Sequence, residues 1–338
     1  MTELSPHAPP RLISIICPCY NEEGGLGEFV RRIEAVLTPL AQPFEIVFVN
    51  DGSTDATLAE MRALALSRAF VTVVNLSRNF GKEIAMTAGL TEASGDAMVV
   101  IDADLQDPPE IIRDFIAGYC EGYDVVYGRR VVREGETRMK IATAHAFYRL
   151  MKRLGPVRLP EDVGDFRLMS RRAVDALLQM PETHRFMKGL FAWIGFPAKE
   201  VPYRRQARFH GTTKWNYPKL IGLSVEGITS FSTFPLRLTS FLGLAIAFFA
   251  FVNGIYFFFR ALIYGDPVQG FPTLYVTILL LGGAQLMALG VIGEYLGRVF
   301  NETKRRPLYF VESVARAPAA DPLAVPAAPA TALQEIVT

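Results

Sequence analysis

Five short apolar runs punctuate the first part of the chain, at residues 12–17, 44–49, 71–75, 97–101 and 124–127. Their length and β-branched content predict strands. Between them, residues 26–37, 54–68, 82–93 and 109–121 mix apolar and polar positions as amphipathic helices do. Continuous apolar strands alternating with such helices predict an α/β fold with a mostly parallel sheet covered on both faces. Ligands of such sheets bind beyond the carboxyl ends of the strands. The residues just after each run are therefore the ones to read for chemistry.

The pattern changes towards the other end. Residues 238–259 and 271–293 form uncharged stretches of 22 and 23 residues, each long enough for a helix to cross a bilayer. A short loop with Gly265, Pro267 and Gly270 joins them, which predicts an antiparallel hairpin of two transmembrane helices. Arg237 precedes the first span and Arg298, Lys304, Arg305 and Arg306 follow the second, so the positive-inside rule puts the large N-terminal part and both termini in the cytoplasm. Residues 141–154 form a basic amphipathic pattern and residues 217–234 a weakly polar one, suited equally to a lipid interface or to core packing. The expected organisation is a disordered 1–10, a catalytic domain 11–215, a juxtamembrane amphipathic helix 216–236, a two-helix membrane unit 237–298, and a cytoplasmic tail 299–338 that is mostly disordered, being Ala/Pro-rich from Ala315 onward.

Charge and cysteine content narrow the function. Lys and Arg number 35 against 34 Asp and Glu, a formal net charge of +1, which excludes a nucleic-acid binder working by a bulk basic field. The N-terminal residues carry no apolar run, so no secretory signal peptide is expected. Cys17, Cys19 and Cys120 are expected to be reduced thiols, with Cys17 and Cys19 on opposite faces of their strand and a poor zinc site.

Four strand-end segments carry the candidate chemistry. They are Pro18-Cys19-Tyr20-Asn21-Glu22, Asn50-Asp51-Gly52-Ser53-Thr54-Asp55, Ser77-Arg78-Asn79-Phe80-Gly81-Lys82 and Asp102-Ala103-Asp104-Leu105-Gln106-Asp107. Singly, each has a bland explanation as a turn or a helix cap. Together they bring acids, amides, an Arg and a Lys to one sheet edge. Alternate residues of an extended segment share a face, so Asp102, Asp104 and Gln106 are candidates to face one hard cation such as Mg²⁺ or Mn²⁺. A metal on a diphosphate stabilises the charge growing on a departing nucleotide. No phosphate-binding loop of the nucleotide-triphosphatase kind is present in the sequence.

These segments, together with Asp-Val-Gly-Asp-Phe-Arg-Leu at residues 162–168 and Arg208-x-x-Gly211-x-Thr213-Lys214-Trp215, resemble the inverting family-2 glycosyltransferases of GT-A fold. The resemblance is to the polyprenyl-phosphate type: dolichyl-phosphate-mannose synthases and, nearer, bactoprenol (undecaprenyl-phosphate) glucosyltransferases. It spans about residues 12–306 and departs where Asn50 stands at the first position of the common D-D-G-S. The resemblance implies a uridine pocket lined by Pro18, Tyr20, Glu22 and Asp51, with Arg78 and Lys82 near the nucleotide and its phosphates. Asp102, Asp104 and Gln106 would hold the metal and diphosphate. Arg129 and Arg130 would meet the acceptor phosphate, with Arg138 a further partner, and Arg208 and Lys214 would close over the diphosphate. Asp165 and Asp104 are the catalytic candidates.

The implied reaction moves a sugar, glucose by the nearest resemblance, from a UDP-sugar to undecaprenyl phosphate at the inner membrane, with Mg²⁺ or Mn²⁺. The implied partners are the lipid bilayer, a second copy of the chain and a downstream flippase. Two rivals stay open: a GDP-mannose-dependent polyprenyl-phosphate transferase, and a non-catalytic membrane protein that binds nucleotide sugar or lipid. A processive polysaccharide synthase is disfavoured, because the sequence lacks Q-x-x-R-W.

Overall fold

The computed structural model describes residues 5–131, 163–183, 185–206, 234–264 and 270–316. Strand and helix alternate from the start: β1 (Ile13–Cys19), α1 (Leu26–Leu37), β2 (Phe44–Asn50), α2 (Thr57–Ser67), β3 (Val71–Leu76), α3 (Lys82–Glu92), β4 (Ala97–Val100), α4 (Ile112–Cys120) and β5 (Val125–Arg130). Then come β6 (Val163–Ser170), α5 (Arg171–Leu178), α6 (Met187–Trp193), β7 (Ala198–Tyr203), the long α7 (Phe234–Tyr264) and α8 (Phe271–Thr303), and β8 (Val311–Arg316). α1 shows why the pattern reads as it does. Leu26, Phe29, Val30, Ile33 and Leu37 recur at helical spacing and are all fully buried, while Glu28 and Arg31 pair on the opposite face.

The eight strands form one sheet in the order β7-β5-β6-β4-β1-β2-β3-β8. β4, β1, β2 and β3 are parallel, as expected. The sheet is mixed but mostly parallel, as expected: six strands run one way, while β6 inserts antiparallel between β4 and β5 and β8 runs antiparallel along β3. One face packs Phe29, Phe48, Phe115 and Phe166; the other packs Val47, Met86, Met98 and Met169. Burying each such side chain stabilises the fold by about 1.5–3 kcal/mol. In this frame Cys19, Asn50 and Asn75 are register neighbours, so the loops leaving β1, β2 and β3 emerge level with one another.

Two local expectations change. Residues two apart on a strand share a face, and Cys17 and Cys19 lie in the same core with their Sγ atoms 3.7 Å apart, both buried free thiols. The expected tail is structured as far as Arg316: Val311–Arg316 pairs with β3, and the Ser77 N–H donates to the Phe310 carbonyl at 3.0 Å.

α7 and α8 differ from the body in what they leave outside. Phe241, Phe248, Phe249, Leu286 and Leu289 are all more than 60% exposed. Among the described residues one segment, Leu280–Thr303, is long and apolar enough to cross a membrane; the apolar stretch Leu238–Asn253 in α7 is shorter. The expectation of two spans is thus met for a single segment. The end of α8 docks on the body through Glu302, whose carboxylate accepts from the Thr183 N–H at 2.9 Å and the Thr183 hydroxyl at 3.2 Å.

Candidate active site

The loops after β1 and β2 hold each other. Asn21, at φ 55°, donates its N–H to Ser53 Oγ at 3.1 Å, and its side-chain oxygen accepts from the Thr54 N–H at 2.9 Å. The Glu22 N–H donates to Thr57 Oγ1 at 2.8 Å. Pro18 is buried within β1, whereas Tyr20, just after it, is exposed. Asp51 is buried, and its two oxygens accept from the Phe80 and Gly81 N–H groups at 2.7 and 2.9 Å. Burial pushes its carboxyl up against the pull of those N–H groups. Asp51 thereby fastens the β3–α3 loop, and each oxygen keeps a second lone pair. The fit is close: Gly52 sits at φ 65°, and a Cβ there would lie 2.4 Å from the Asn79 nitrogen. Arg78 lies over the Phe80 ring at 4.1 Å and donates to the Asn79 carbonyl, at the exposed rim.

Beyond β4 the segment turns rather than staying extended, with Leu105 at φ 55°. The expected alternation survives in burial: Ala103, Leu105 and Asp107 point inward, while Asp102, Asp104 and Gln106 are half-exposed. Asp104 Oδ1 accepts the Gln106 N–H at 3.1 Å. Lys82 sits between two carboxylates, 2.7 Å from Asp102 Oδ1 and 2.7 Å from Asp165 Oδ2. Burial alone would lower the Lys82 ammonium, but the two carboxylates raise it well above the ordinary lysine range. Asp165 shows the reverse balance: burial would raise it, yet Lys82 and Lys188 hold it well below the usual carboxylate range. Its other oxygen, Oδ1, is buried with no hydrogen-bond partner among the described residues.

The chain matches the description Glycosyl transferase family 2 over residues 14–178. It is 48% identical over 302 residues to an uncharacterized glycosyltransferase of Synechocystis sp., covering 89% of this chain and 95% of the relative. It is 45% identical to a prophage bactoprenol glucosyl transferase homolog of Escherichia coli, covering 89% of this chain and 99% of the relative. The chain belongs to glycosyl transferase family 2. A bactoprenol glucosyl transferase of Shigella phage SfV is 44% identical, with 89% and 98% covered. A solved glucosyl-3-phosphoglycerate synthase from Mycobacterium tuberculosis, in complex with Mn²⁺, UDP-glucose and phosphoglyceric acid, aligns at a TM-score of 0.43 and 23% identity, covering 65% of this chain and 78% of that one.

In this family-2 chain the structure divides the two arginines that the sequence grouped. Neighbouring residues of β5 point to opposite faces. Arg129 pairs with Glu200 at 3.3 Å, while Arg130 turns to Asp107 at 3.6 Å and to the Tyr203 hydroxyl at 3.2 Å. A Cβ on Gly164 would lie 2.7 Å from Arg130 Nη2, so Gly164 leaves the room that the guanidinium occupies. Arg138, Arg208 and Lys214 lie outside the described residues, as do the stretches 141–154 and 217–233.

Four further groups meet the site without having been singled out from sequence. Glu83 follows Lys82 on α3, and its carboxyl is pushed up to about 8 by burial and by the charge of Asp165. Lys188 on α6 is lowered by burial while Asp165 pulls it the other way. Arg167 is brought down to about 10 by burial; it stacks on Phe191 at 3.6 Å and donates to the Gly164 carbonyl at 2.8 Å. The Tyr203 hydroxyl donates to buried Asp107 at 2.6 Å. The phrase Asp-Phe-Arg-Leu contained Arg167, but α6 and β7 carried no motif that would have marked Lys188 or Tyr203.

Among the described residues no group of three or more His, Cys, Asp or Glu could hold a metal by itself. Asp102 and Asp104 supply half-exposed carboxylates from one turn, with the Gln106 amide beside them. That donor set fits Mg²⁺ or Mn²⁺, which take most ligands from water and substrate phosphates.

Proposed function

We propose that this family-2 glycosyltransferase transfers glucose from UDP-glucose to undecaprenyl phosphate, with inversion, at the cytoplasmic face of the inner membrane, making a lipid-linked sugar for cell-envelope glycan modification. The observation that carries the reading is the near-complete alignment, at 44–45% identity, with relatives named for bactoprenol glucosyl transfer. The alignments extend well beyond the matched family domain, which supports reading the acceptor as well as the donor from these relatives. The exposed apolar faces of α7 and α8 suit two membrane spans that hold the cleft at the lipid surface.

The roles follow from charge. Asp51, Tyr20, Glu22 and Pro18 frame the uridine, with Arg78 at its rim. Asp104, Asp102 and Gln106 would hold a divalent cation, which when bound neutralises the charge developing on the UDP leaving group. Lys82, two carboxylates away from being a free ammonium, adds positive charge at the same place. The acceptor is a phosphate monoester with a second pKa of about 6, so it arrives ionised and needs no base. Asp165 therefore acts by orientation: its unpartnered Oδ1 accepts from a hydroxyl of the sugar and its charge stabilises the cationic ring as UDP departs. Arg130, with Arg129, Arg138, Arg208 and Lys214 as further candidates, neutralises acceptor or diphosphate and holds the attacking oxygen in line, which supplies proximity.

The test is a transfer assay with purified protein in detergent, undecaprenyl phosphate, Mg²⁺ or Mn²⁺, and a panel of labelled UDP- and GDP-sugars. Metal-dependent, butanol-extractable label from UDP-glucose is expected. Label from GDP-mannose alone would reassign the donor, and no label from any donor would remove the reading.

A further inference from the structure

A carboxylate that follows the long C-terminal helices reaches the nucleotide loop through two buried side-chain amides. Asn50, Asn75 and Ser313 are register partners across β2, β3 and β8. Beside Ser313, Glu312 Oε2 accepts from Asn75 Nδ2 at 2.7 Å. Asn75 Oδ1 accepts from Asn50 Nδ2 at 2.7 Å, and Asn50 Oδ1 accepts from the Ser53 N–H at 3.2 Å. Ser53 Oγ in turn accepts from Asn21, so the series ends in the loops on either side of Asp51. Asn50 and Asn75 are 2% and 4% exposed, which leaves neither amide free to satisfy itself with water.

We infer that Glu312 sets the direction of this amide relay and thereby positions the Asp51 loop for nucleotide binding. The inference rests on the uridine-pocket role proposed above for Asp51. A carboxylate is an acceptor only, whereas an amide has one donor end and one acceptor end. With Glu312 at the sheet edge, Asn75 must present its NH₂ outward and its oxygen inward. That oxygen requires a donor at position 50, and the Asn50 amide supplies it while its own oxygen faces Ser53. An Asp at position 50 would leave Asn75 between two acceptors, so that whichever way the amide turned, one oxygen would face another. A residue at 312 with a donor of its own would let Asn75 turn over and restore every bond.

Four full-length proteins test this: wild type, Asn50→Asp, Glu312→Gln and the double variant, each measured for ligand-free Tm and for UDP affinity by calorimetry. Glu312→Gln alone should bind UDP within about twofold of wild type, since its amide oxygen accepts from Asn75 as before. Asn50→Asp should weaken UDP binding by about tenfold and lower Tm, the size expected for one unsatisfied buried polar contact. Adding Glu312→Gln should restore both, and the restoration should persist at about 1 M salt, where simple charge compensation is screened. Additive effects of the two substitutions, or a rescue that salt abolishes, would overturn the relay. A rescue of Tm with UDP affinity equal in all four proteins would overturn the link to the nucleotide loop. If wild type binds no UDP, the uridine-pocket reading fails instead, and the Tm cycle alone decides the relay.

Discussion

Lys82 donates to Asp165 at 2.7 Å, and this contact joins the two halves of the site. Lys82 begins α3, which leads into β4, whereas Asp165 lies on β6, the antiparallel strand on the far side of β4 from β1. The same ammonium also holds Asp102, so Lys82 lies directly between two carboxylates, and Lys188 and Arg167 also act on Asp165. Replacing Lys82 with Met removes the one charge in direct contact with both carboxylates and leaves Asp165 to Lys188 and Arg167. The expected outcome is a loss of about 10²-fold in kcat, with a lowered Tm at neutral pH that recovers in acid as the carboxylates protonate. Steady-state transfer assays and thermal melts at pH 5 and pH 7.5 check both.

Asp165→Asn keeps the shape of the side chain and removes its charge. If Asp165 orients sugar and stabilises positive charge, kcat falls by about 10²-fold while UDP affinity stays within about threefold. Near-normal turnover would remove Asp165 from the mechanism.

The sequence carried the first half of the fold well because parallel strands buried on both faces write themselves as continuous apolar runs. The expected helix at 26–37 coincides with α1, and the site segments fell at strand ends, as the rule for open α/β sheets requires. What stayed hidden depends on partners distant in the chain. β6 was read as a motif and not as a strand, since nothing local says that it will insert antiparallel between β4 and β5. β8 resembled tail because Val-Glu-Ser-Val-Ala-Arg is short, and the strand it pairs with at the sheet edge is β3, more than 230 residues earlier. Glu83 was hidden for a further reason: its environment is made by Asp165 and Lys188, which reach it only after folding.

Glu83 gives the site a pH signature. Its folded value of about 8 lies above the ordinary 4.5, raised by burial and by Asp165 against the pull of Lys82 and Lys188, with Arg167 and Arg185 also acting on it. Between those pH values the folded protein holds a proton that the unfolded chain has lost, so stability falls as pH rises from about 4.5 to 8. Asp165 works in the opposite sense, but its contribution is lost only in acid, below the usual carboxylate range. Glu83→Gln should therefore flatten the curve, gaining on wild type by at most about 1.4 kcal/mol per pH unit across this window. Melts from pH 5 to pH 9 measure it; parallel curves would show that Glu83 is ionised throughout.

Asp104→Ala should separate metal from nucleotide. Removing one of two carboxylates is expected to weaken Mn²⁺ stimulation of UDP binding by at least about tenfold, with metal-free UDP affinity little changed. Titrating Mn²⁺ into protein with bound UDP, followed calorimetrically, gives the answer without any turnover. Chelation should abolish transfer by wild type, and restoration by Mg²⁺ or Mn²⁺ names the working ion.

Leu286 tests the membrane assignment. It is 72% exposed on α8, within the segment Leu280–Thr303, and its outward face has no protein to pack against among the described residues. If α8 spans the bilayer as proposed, lipid covers this side chain. Leu286→Arg should then cost about 2.5–3.5 kcal/mol of insertion free energy and shift protein from the membrane to the aggregated or degraded fraction. Glu294→Gln, nearer the end of α8, should leave the distribution unchanged, because the snorkelling distance to the interface is short there. Fractionation of cells that express each variant, with carbonate-resistant membrane protein as the readout, compares them. Wild-type behaviour for Leu286→Arg would mean that this face of α8 meets water or another polypeptide, and the lipid-facing helix would have to be sought in α7.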